Sequence, residues 1–226
     1  MASVGLFYVG AVLFINGVML LGRVEPRAGA IMNLFVGGLQ VVTPTFLIFT
    51  ANGDQDTILL ASGLYLFGFT YLYVGIGLLA GLDSTGVGWF SLFVAIAALA
   101  YSFMNFTRLA DAPFGVIWLY WALLWSLFFV LLGLKQEWLT RYTGWVALIE
   151  GWVTAAIPGF LLFSGYWSTS STTAIVLAVI GVAMVLVLLP TARRDRRERG
   201  AHTQPAPTPE PTAPAPDRPV LSLIHI

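Results

Sequence analysis

The chain has 226 residues, of which 58% are hydrophobic and only 10% are charged, and its mean hydropathy is +0.84. Soluble domains carry about 25% charged residues. The composition therefore excludes an ordinary soluble fold and predicts an all-α integral membrane protein whose apolar side chains face lipid. The formal net charge is zero, and the chain has no cysteine, which excludes disulfides and thiolate-bound metals.

Apolar stretches long enough to cross a bilayer recur along the chain. A hydrocarbon core of about 30 Å needs roughly 20 apolar residues in a helix. The first stretch follows no basic segment and is long enough to span, so we interpret it as a retained helix rather than a cleaved signal peptide. The predicted spans are Val4–Leu21, Ala30–Phe49, Ile58–Ala80, Val87–Phe106, Phe114–Leu134, Trp145–Phe163 and, as the shortest, Thr173–Leu189.

Turn formers combined with charged residues separate several of these spans, as in Gly81-Leu82-Asp83 and Asn52-Gly53-Asp54. The spans predict a six-helix domain, residues 1–167, and an extra transmembrane helix within residues 168–190. Residues 191–220 pass from an arginine cluster into a Pro/Ala-rich stretch that cannot bury a core, which predicts a disordered tail. The last six residues, 221–226, read LSLIHI and match one frame of a common transposon-end sequencing adapter, so we interpret them as an artefact.

The placement of lysine and arginine predicts the orientation, because cytoplasmic flanks carry the excess of positive charge. An external N-terminus leaves Arg108 alone on an external loop. The same choice puts the remaining membrane-flanking basic residues and the C-terminal tail in the cytoplasm. These residues are Arg23, Arg27, Lys135, Arg141, Arg193, Arg194, Arg196, Arg197 and Arg199.

Catalytic and metal-binding constellations are missing from the predicted spans. Both histidines, His202 and His225, fall in the tail, and there is no HExxH, P-loop or second intramembrane carboxylate. We therefore expect no enzyme, no metal, no cofactor and no nucleic-acid partner. Glu150 is the one ionisable residue well inside a span, where a charge is costly. It is either a polar acceptor or gate element facing an aqueous path, or a carboxyl, in charged or protonated form, that hydrogen-bonds between helices or extends to the membrane interface.

Aromatic residues on the fifth span share one helical face. Phe114, Trp118, Trp121 and Trp125 follow each other at i, i+4, i+7 and i+11, which reaches the middle of the bilayer. Phe67 and Tyr71 are spaced i, i+4 on the third span at comparable depth. Such rings either line a narrow path suited to a planar neutral amide or pack as an ordinary core.

Small and uncharged polar residues predict how the spans associate. Glycines such as Gly37, Gly38 and Gly68 allow close helix packing. The uncharged polar residues are best interpreted as interhelical hydrogen-bonding groups, with a path-lining role as the alternative. They are Asn16, Asn33, Gln40 and Asn105.

Six segments taken together resemble the AmiS/UreI family of urea and amide channels. They are FYVGAVLFING, MNLFVGGL, LFGFTYLYVG, WFSLFVAI, IWLYWALLW and WVALIEGWVTAAIP, in order from about Leu6 to Phe163. The resemblance implies a six-helix channel bundle of three helical hairpins, with one pore in each protomer. It also implies a ring-shaped homo-hexamer in the bacterial inner membrane, with urea or a short amide as the permeant and a cytoplasmic urease or amidase as a functional associate.

The resemblance also assigns roles to residues. It implies an outer constriction of Val9, Leu13 and Leu124. An inner constriction near Glu150 would be formed by Phe67, Tyr71, Trp121 and Trp125.

Two departures favour the amide-associated branch of the family over its acid-gated urea branch. The predicted external segments 51–57 and 107–113 contain no histidine, so gating by histidine protonation is not expected. The seventh span lies beyond the resemblance. A proton-coupled transporter using Glu150 and a nontransporting accessory subunit are the alternative functions.

Overall fold

The computed structural model describes residues 2–202, all of which form helices or their connections. The first five helices are α1 (Ala2–Leu20), α2 (Pro26–Thr50), α3 (Gln55–Ala80), α4 (Thr85–Thr107) and α5 (Ala112–Phe128). A π-helical segment, Phe129–Gly133, extends α5. The sixth span, Glu137–Phe163, consists of a 3₁₀ turn (Glu137–Leu139), α6 (Thr140–Glu150), a π-helical segment (Gly151–Ala156) and α7 (Ile157–Phe163), and it is followed by α8 (Ser171–His202).

The described residues form seven helical spans that are long and apolar enough to cross a membrane, which confirms the predicted all-α membrane fold. Acidic residues cap the N-termini of three helices. The side chain of each accepts a hydrogen bond from a backbone N–H group that has no partner within the helix. Glu25 caps α2 at 2.9 Å from Ala28 N, Asp54 caps α3 at 3.0 Å from Thr57 N, and Asp111 caps α5 at 3.1 Å from Phe114 N.

Two boundaries differ from the sequence prediction by more than four residues. The sixth span begins at Glu137 rather than Trp145, since its first turns carry polar residues that lie outside the apolar window. Helix α8 continues through the arginine cluster to His202, so the predicted disordered tail begins later than residue 191. Arginine is a good helix former, and an existing helix extends at little cost. The rest of the predicted tail and the LSLIHI segment lie outside the described residues.

The helices pack most closely in three pairs: α2 with α3, α4 with α5, and α1 with the sixth span. The first two pairs are sequence-adjacent hairpins, whereas the third joins the two ends of the six-helix bundle. Helix α8 lies against α5 and α6. The hydroxyl of Tyr120 donates a hydrogen bond to the carbonyl of Leu177 at 2.7 Å, and the guanidinium of Arg196 lies 5.5 Å from the centre of the Trp138 ring.

We call the end of the bundle where α1 begins the upper end and the opposite end the lower end. Because successive spans alternate in direction, the structure gathers the basic segments around Arg23, Lys135, Arg141 and Arg193 at the lower end. Arg108 lies at the upper end, paired with Asp56 at 2.7 Å. This grouping agrees with the charge pattern; the side of the membrane that each end faces stays a prediction.

Close contact between α1 and the sixth span depends on glycine. A Cβ atom added to Gly10 would lie 2.5 Å from the backbone nitrogen of Ala156, closer than real Cβ contacts. The same limit applies about two turns further along α1, where a Cβ on Gly17 would lie 2.7 Å from the carbonyl oxygen of Gly144. Backbone atoms cannot rotate away, so these positions accept no side chain without separating the helices.

We expect Gly10→Ala to lower the thermal stability of the purified protein, because the added methyl group forces α1 away from the sixth span at a cost of about 1–3 kcal/mol. Gly38→Ala is the matched control, since a Cβ at Gly38 has no neighbouring atom within 4 Å. Melting midpoints in one detergent at one scan rate provide the measurement. Equal midpoints for the two variants would contradict the assigned contact.

Candidate functional site

Two cavities lie inside the six-helix bundle, one toward each end. The upper cavity has a volume of about 320 Å³, and its lining includes Val9, Gln40, Phe67 and Trp121. The lower cavity has a volume of about 370 Å³, and its lining includes Leu13, Thr70, Tyr71 and Trp125. A small solute fits either space, so the side chains that separate the two cavities decide what can pass between them.

Three pairs of side chains lie where the linings of the two cavities meet, each pair spaced i, i+4 on a helix that runs downward. Helix α1 supplies Val9 and Leu13, α3 supplies Phe67 and Tyr71, and α5 supplies Trp121 and Trp125. In every pair the first residue lines the upper cavity and the second lines the lower cavity. Four residues rise about 6 Å along a helix, so one helical turn divides the two spaces. We call these six residues the barrier.

The structure divides the barrier differently from the two constrictions that the family resemblance implies. Val9 of the implied outer constriction lines the same cavity as Phe67 and Trp121 of the implied inner one, whereas Leu13 lines the other cavity with Tyr71 and Trp125. The reason is that α1, α3 and α5 run in the same direction and contribute equivalent turns. Phe114 and Trp118 line the upper cavity above the barrier, while Leu124 is fully buried and lines neither cavity.

Aromatic rings fill the centre of the barrier. The ring of Phe67 makes edge-to-face contacts with Trp121 and Trp125, with centroid distances of 4.7 and 5.0 Å. Above them, Trp118 stacks on Tyr101 at 4.5 Å. Edge-to-face and offset-stacked arrangements are the favoured geometries of aromatic pairs. These contacts join α3 and α5 where the linings of the two cavities meet.

Two threonines hold the tryptophans in place, and sequence reasoning did not assign them this role. The indole N–H of Trp121 donates to Thr154 Oγ1 at 3.0 Å, and that of Trp125 donates to Thr70 Oγ1 at 3.2 Å. Each threonine hydroxyl in turn donates to a backbone carbonyl one turn earlier: Thr154 donates to Glu150, and Thr70 donates to Leu66. The signal available in the sequence was position: Thr70 precedes Tyr71, and Thr154 follows Glu150 by one turn.

Glu150 is the last residue of α6, directly before the π-helical segment, and its side chain is fully buried. π-helical segments are frequent at functional sites. Neither carboxyl oxygen of Glu150 nor the hydroxyl of Tyr71 has a hydrogen-bond partner among the described residues. Glu150 lies outside the linings of the two cavities. Among the described residues, the Glu150 carboxyl therefore forms no hydrogen bond to another helix, as the interhelical interpretation would require.

The uncharged polar residues behave in three ways. Asn16 and Asn33 exchange two side-chain hydrogen bonds, at 2.9 and 2.7 Å, which confirms the interhelical interpretation for α1 and α2. Asn105 instead donates to the carbonyl of Tyr101 in its own helix. For Gln40 the interhelical interpretation is wrong, because neither its Oε1 nor its Nε2 has a partner within the described chain.

Carboxylates line the rims of both cavities. Asp111 at the upper rim accepts hydrogen bonds from Phe114 N at 3.1 Å and from the Trp167 indole at 3.5 Å. Burial raises the pKa of Asp111, and these two hydrogen bonds oppose the shift. At the lower rim, hydrogen bonds from Thr85 and Lys135 hold the pKa of Asp83 well below its usual value. The ammonium of Lys135 lies 2.9 Å from Asp83.

The arrangement is suited to the passage of a small solute. Among the side chains that the structure describes, there is no group of three metal-ligating residues. An aromatic barrier between two internal cavities, set in seven apolar helices, defines a multi-pass membrane transport protein.

The chain belongs to the AmiS/UreI family of transporters, whose family model matches residues 1–166. A protein of Mycolicibacterium smegmatis named "Putative amidate substrates transporter protein" is 58% identical over 86% of this chain and 91% of its own length. A Rhodococcus erythropolis protein named "Putative transporter protein AmiS2" is 54% identical over 92% of this chain and 98% of its own. Family membership confirms that the chain is a transport protein and not an enzyme.

Solved structures of the Helicobacter pylori urea channel share the fold. The closed-state cryo-EM structure has a TM-score of 0.68 and the crystal structure 0.67, both at 37% identity. Each match covers 74% of this chain and the whole of the channel chain.

Thr70→Val is expected to lower the melting midpoint of the protein, because it keeps the shape but leaves the Trp125 N–H buried without an acceptor, a loss of about 1–3 kcal/mol. Thr50→Val is the control: its exposed hydroxyl bonds only to its own helix. Midpoints of both variants are measured beside the wild type. A midpoint for Thr70→Val equal to that of the control would show that the indole bond does not hold Trp125.

Proposed function

We propose that the protein is a passive channel for small neutral solutes, namely urea, acetamide and other short aliphatic amides. The observation that carries this proposal is the barrier, in which Phe67, Trp121 and Trp125 contact one another between the two cavities. Flat aromatic faces admit a planar solute once they separate slightly. They supply nothing that replaces the hydration shell of an ion.

The chemistry of the barrier favours a neutral permeant. Apart from the buried carboxyl of Glu150 nearby, its polar groups are two indole N–H groups and the hydroxyl of Tyr71. Both indoles are already bonded to threonines, whereas the Tyr71 hydroxyl has no partner in the described chain. A solute that sheds water at this level therefore meets one free hydroxyl. Such a group suits the carbonyl or amino group of an amide.

The relatives support the choice of permeant. Proteins that are 58% and 37% identical to this chain carry names that refer to amidate substrates and to urea. Short amides and urea share a planar group with a carbonyl acceptor and N–H donors, so one barrier accommodates both. The greater identity to the amidate-named relative favours amides as the main permeant.

We further propose a homo-hexamer in the bacterial inner membrane, with one path through each protomer. In the proposed orientation the upper cavity opens to the outside and the lower end, with its arginines, faces the cytoplasm. Solute entering by this route would be hydrolysed by a cytoplasmic amidase or urease.

One observation favours a second candidate, a proton-coupled amide transporter. The carboxyl of Glu150 is fully buried without a hydrogen-bond partner in residues 2–202, next to a π-helical segment. A carboxyl in such a place can exchange a proton during transport. Measurement of solute flux into proteoliposomes by light scattering, with and without a proton gradient, separates the candidates. A passive channel gives equal rates, a coupled transporter gives faster uptake with the gradient, and a nontransporting subunit gives the rate of empty vesicles.

Trp125→Ala and Tyr71→Phe should change permeation in different ways. Removing the indole of Trp125 widens the barrier and should admit amides larger than acetamide, unless neighbouring rings fill the space. Tyr71→Phe keeps the width but removes one hydrogen-bond partner. It should slow flux roughly 2- to 13-fold if the contact forms at the barrier.

Rates for urea, acetamide and butyramide, normalised to assembled protein, provide the measurement. Trp89→Ala and Tyr166→Phe are the matched controls, because both side chains are exposed on the outside of the bundle. Wild-type rates and size limits in both barrier variants would mean that the aromatic residues only pack.

Flux should vary less than about 2-fold between pH 5 and pH 7.5, because no histidine lies in the spans or the connecting loops. Asp83 has a lowered pKa and stays charged across this range. Asp111 has a raised pKa and loses its charge as the pH falls through that value, so it is the rim group to examine.

Flux at several pH values in the wild type, Asp111→Asn and Glu150→Gln tests this expectation. A steep pH dependence that disappears in Asp111→Asn would assign gating to the upper rim. One that disappears in Glu150→Gln would assign it to the buried carboxyl.

A further inference from the structure

Gln40 lies in the middle of α2, and its side chain lines the upper cavity. The residue is 0% exposed, yet neither its amide oxygen nor its amide nitrogen has a hydrogen-bond partner in the part of the chain that the structure describes. Burying an amide without partners is unfavourable for folding. A side chain that only holds helices together would bond to a neighbouring helix, as Asn16 and Asn33 do.

Glycines on both adjacent helices surround Gln40. A Cβ on Gly68 of α3 would lie 2.8 Å from the backbone oxygen of Gln40, so the backbone of α2 is held closely against α3. A Cβ on Gly5 of α1 would lie 2.8 Å from the amide oxygen Oε1. The absence of a side chain at Gly5 therefore provides the space that the amide occupies beside the cavity.

Two other polar side chains that line the upper cavity, those of Asn105 and Asp111, have hydrogen-bond partners. Asn105 Nδ2 donates to the carbonyl of Tyr101 at 2.8 Å. Asp111 accepts from Phe114 N and from the Trp167 indole. Gln40 differs from both because its donor and its acceptor are both available.

An amide presents a donor and an acceptor in one plane, and the same arrangement occurs in urea and in a primary carboxamide. The Gln40 amide and the solute can therefore pair side by side through two N–H···O hydrogen bonds. Gln40 donates one of these bonds and accepts the other. Trp118 and Trp121 line the same cavity and supply flat apolar surfaces for such a planar solute.

We propose that Gln40 is a specificity-determining residue that binds the carboxamide or urea group of the permeant in the upper cavity, before it reaches the barrier. This inference rests on the proposed function and adds to it a site that the barrier does not contain. The unpaired amide disfavours folding but binds a dehydrated solute that offers both hydrogen bonds. A solute of similar size without this planar pair, such as ethylene glycol, gains less.

Gln40→Met tests the proposal, because it keeps an unbranched side chain of similar length and removes both hydrogen-bonding groups. We expect acetamide flux in proteoliposomes to fall about 5-fold or more relative to wild type. Ethylene glycol flux should change less. The melting midpoint should stay the same or rise, since replacing an unpaired buried amide with an apolar group is neutral or stabilising.

The matched control is Gln55→Met, the same substitution at an exposed position at the start of α3. It should leave flux and midpoint unchanged. Wild-type acetamide flux in Gln40→Met, an equal loss for acetamide and ethylene glycol, or a lower midpoint would each overturn the proposal; the last would show that Gln40 is a structural residue. If the wild type itself carries no acetamide or urea, the proposed function fails together with this inference, whereas a conducting wild type isolates the failure to Gln40.

Discussion

Backbone contact between α1 and the sixth span is the constraint on which the rest of the bundle depends. The α2–α3 and α4–α5 hairpins form between neighbours in the sequence, but the bundle closes only when its first and last spans meet. Gly10 and Gly17 on one side and Gly144 and Gly151 on the other bring the backbones together. Lipid provides no hydrophobic drive for helices to associate, so close packing of small residues must supply the attraction.

This closure places the turns of α1, α3 and α5 that form the barrier at one level. In and around the barrier the buried polar groups divide into two kinds. The indoles of Trp121 and Trp125 are bonded to Thr154 and Thr70, which holds both rings in place. Gln40, Tyr71 and Glu150 keep buried polar atoms without partners among the described residues. In the proposed channel the bonded rings set the width, and the unpaired groups that line the cavities, those of Gln40 and Tyr71, are available to a solute that has lost its water.

Helix α8 stands apart from this arrangement. It lies against α5 and α6, on the outside of the six-helix bundle, and none of its described side chains lines either cavity. The family model ends at residue 166, before α8 begins, and the urea channel matches 74% of the chain. The two transporter-named relatives match 86% and 92%. The match therefore extends into α8 in these relatives, which agrees with assignment to the amide-associated branch.

Hydrophobicity and helical spacing in the sequence determined the seven helices, the gathering of basic segments at one end and the common face of Trp118, Trp121 and Trp125, because these depend only on residue order. Tertiary structure decided which faces meet. It alone brings Thr154 and Thr70 within hydrogen-bond distance of the indoles, leaves Gln40 without a partner among the described residues while pairing Asn16 with Asn33, and places Val9 and Phe67 in the lining of one cavity. Contacts between helices distant in the chain depend on their rotation and register, and in a nearly uniform apolar sequence these are set by glycine contacts that periodicity does not reveal.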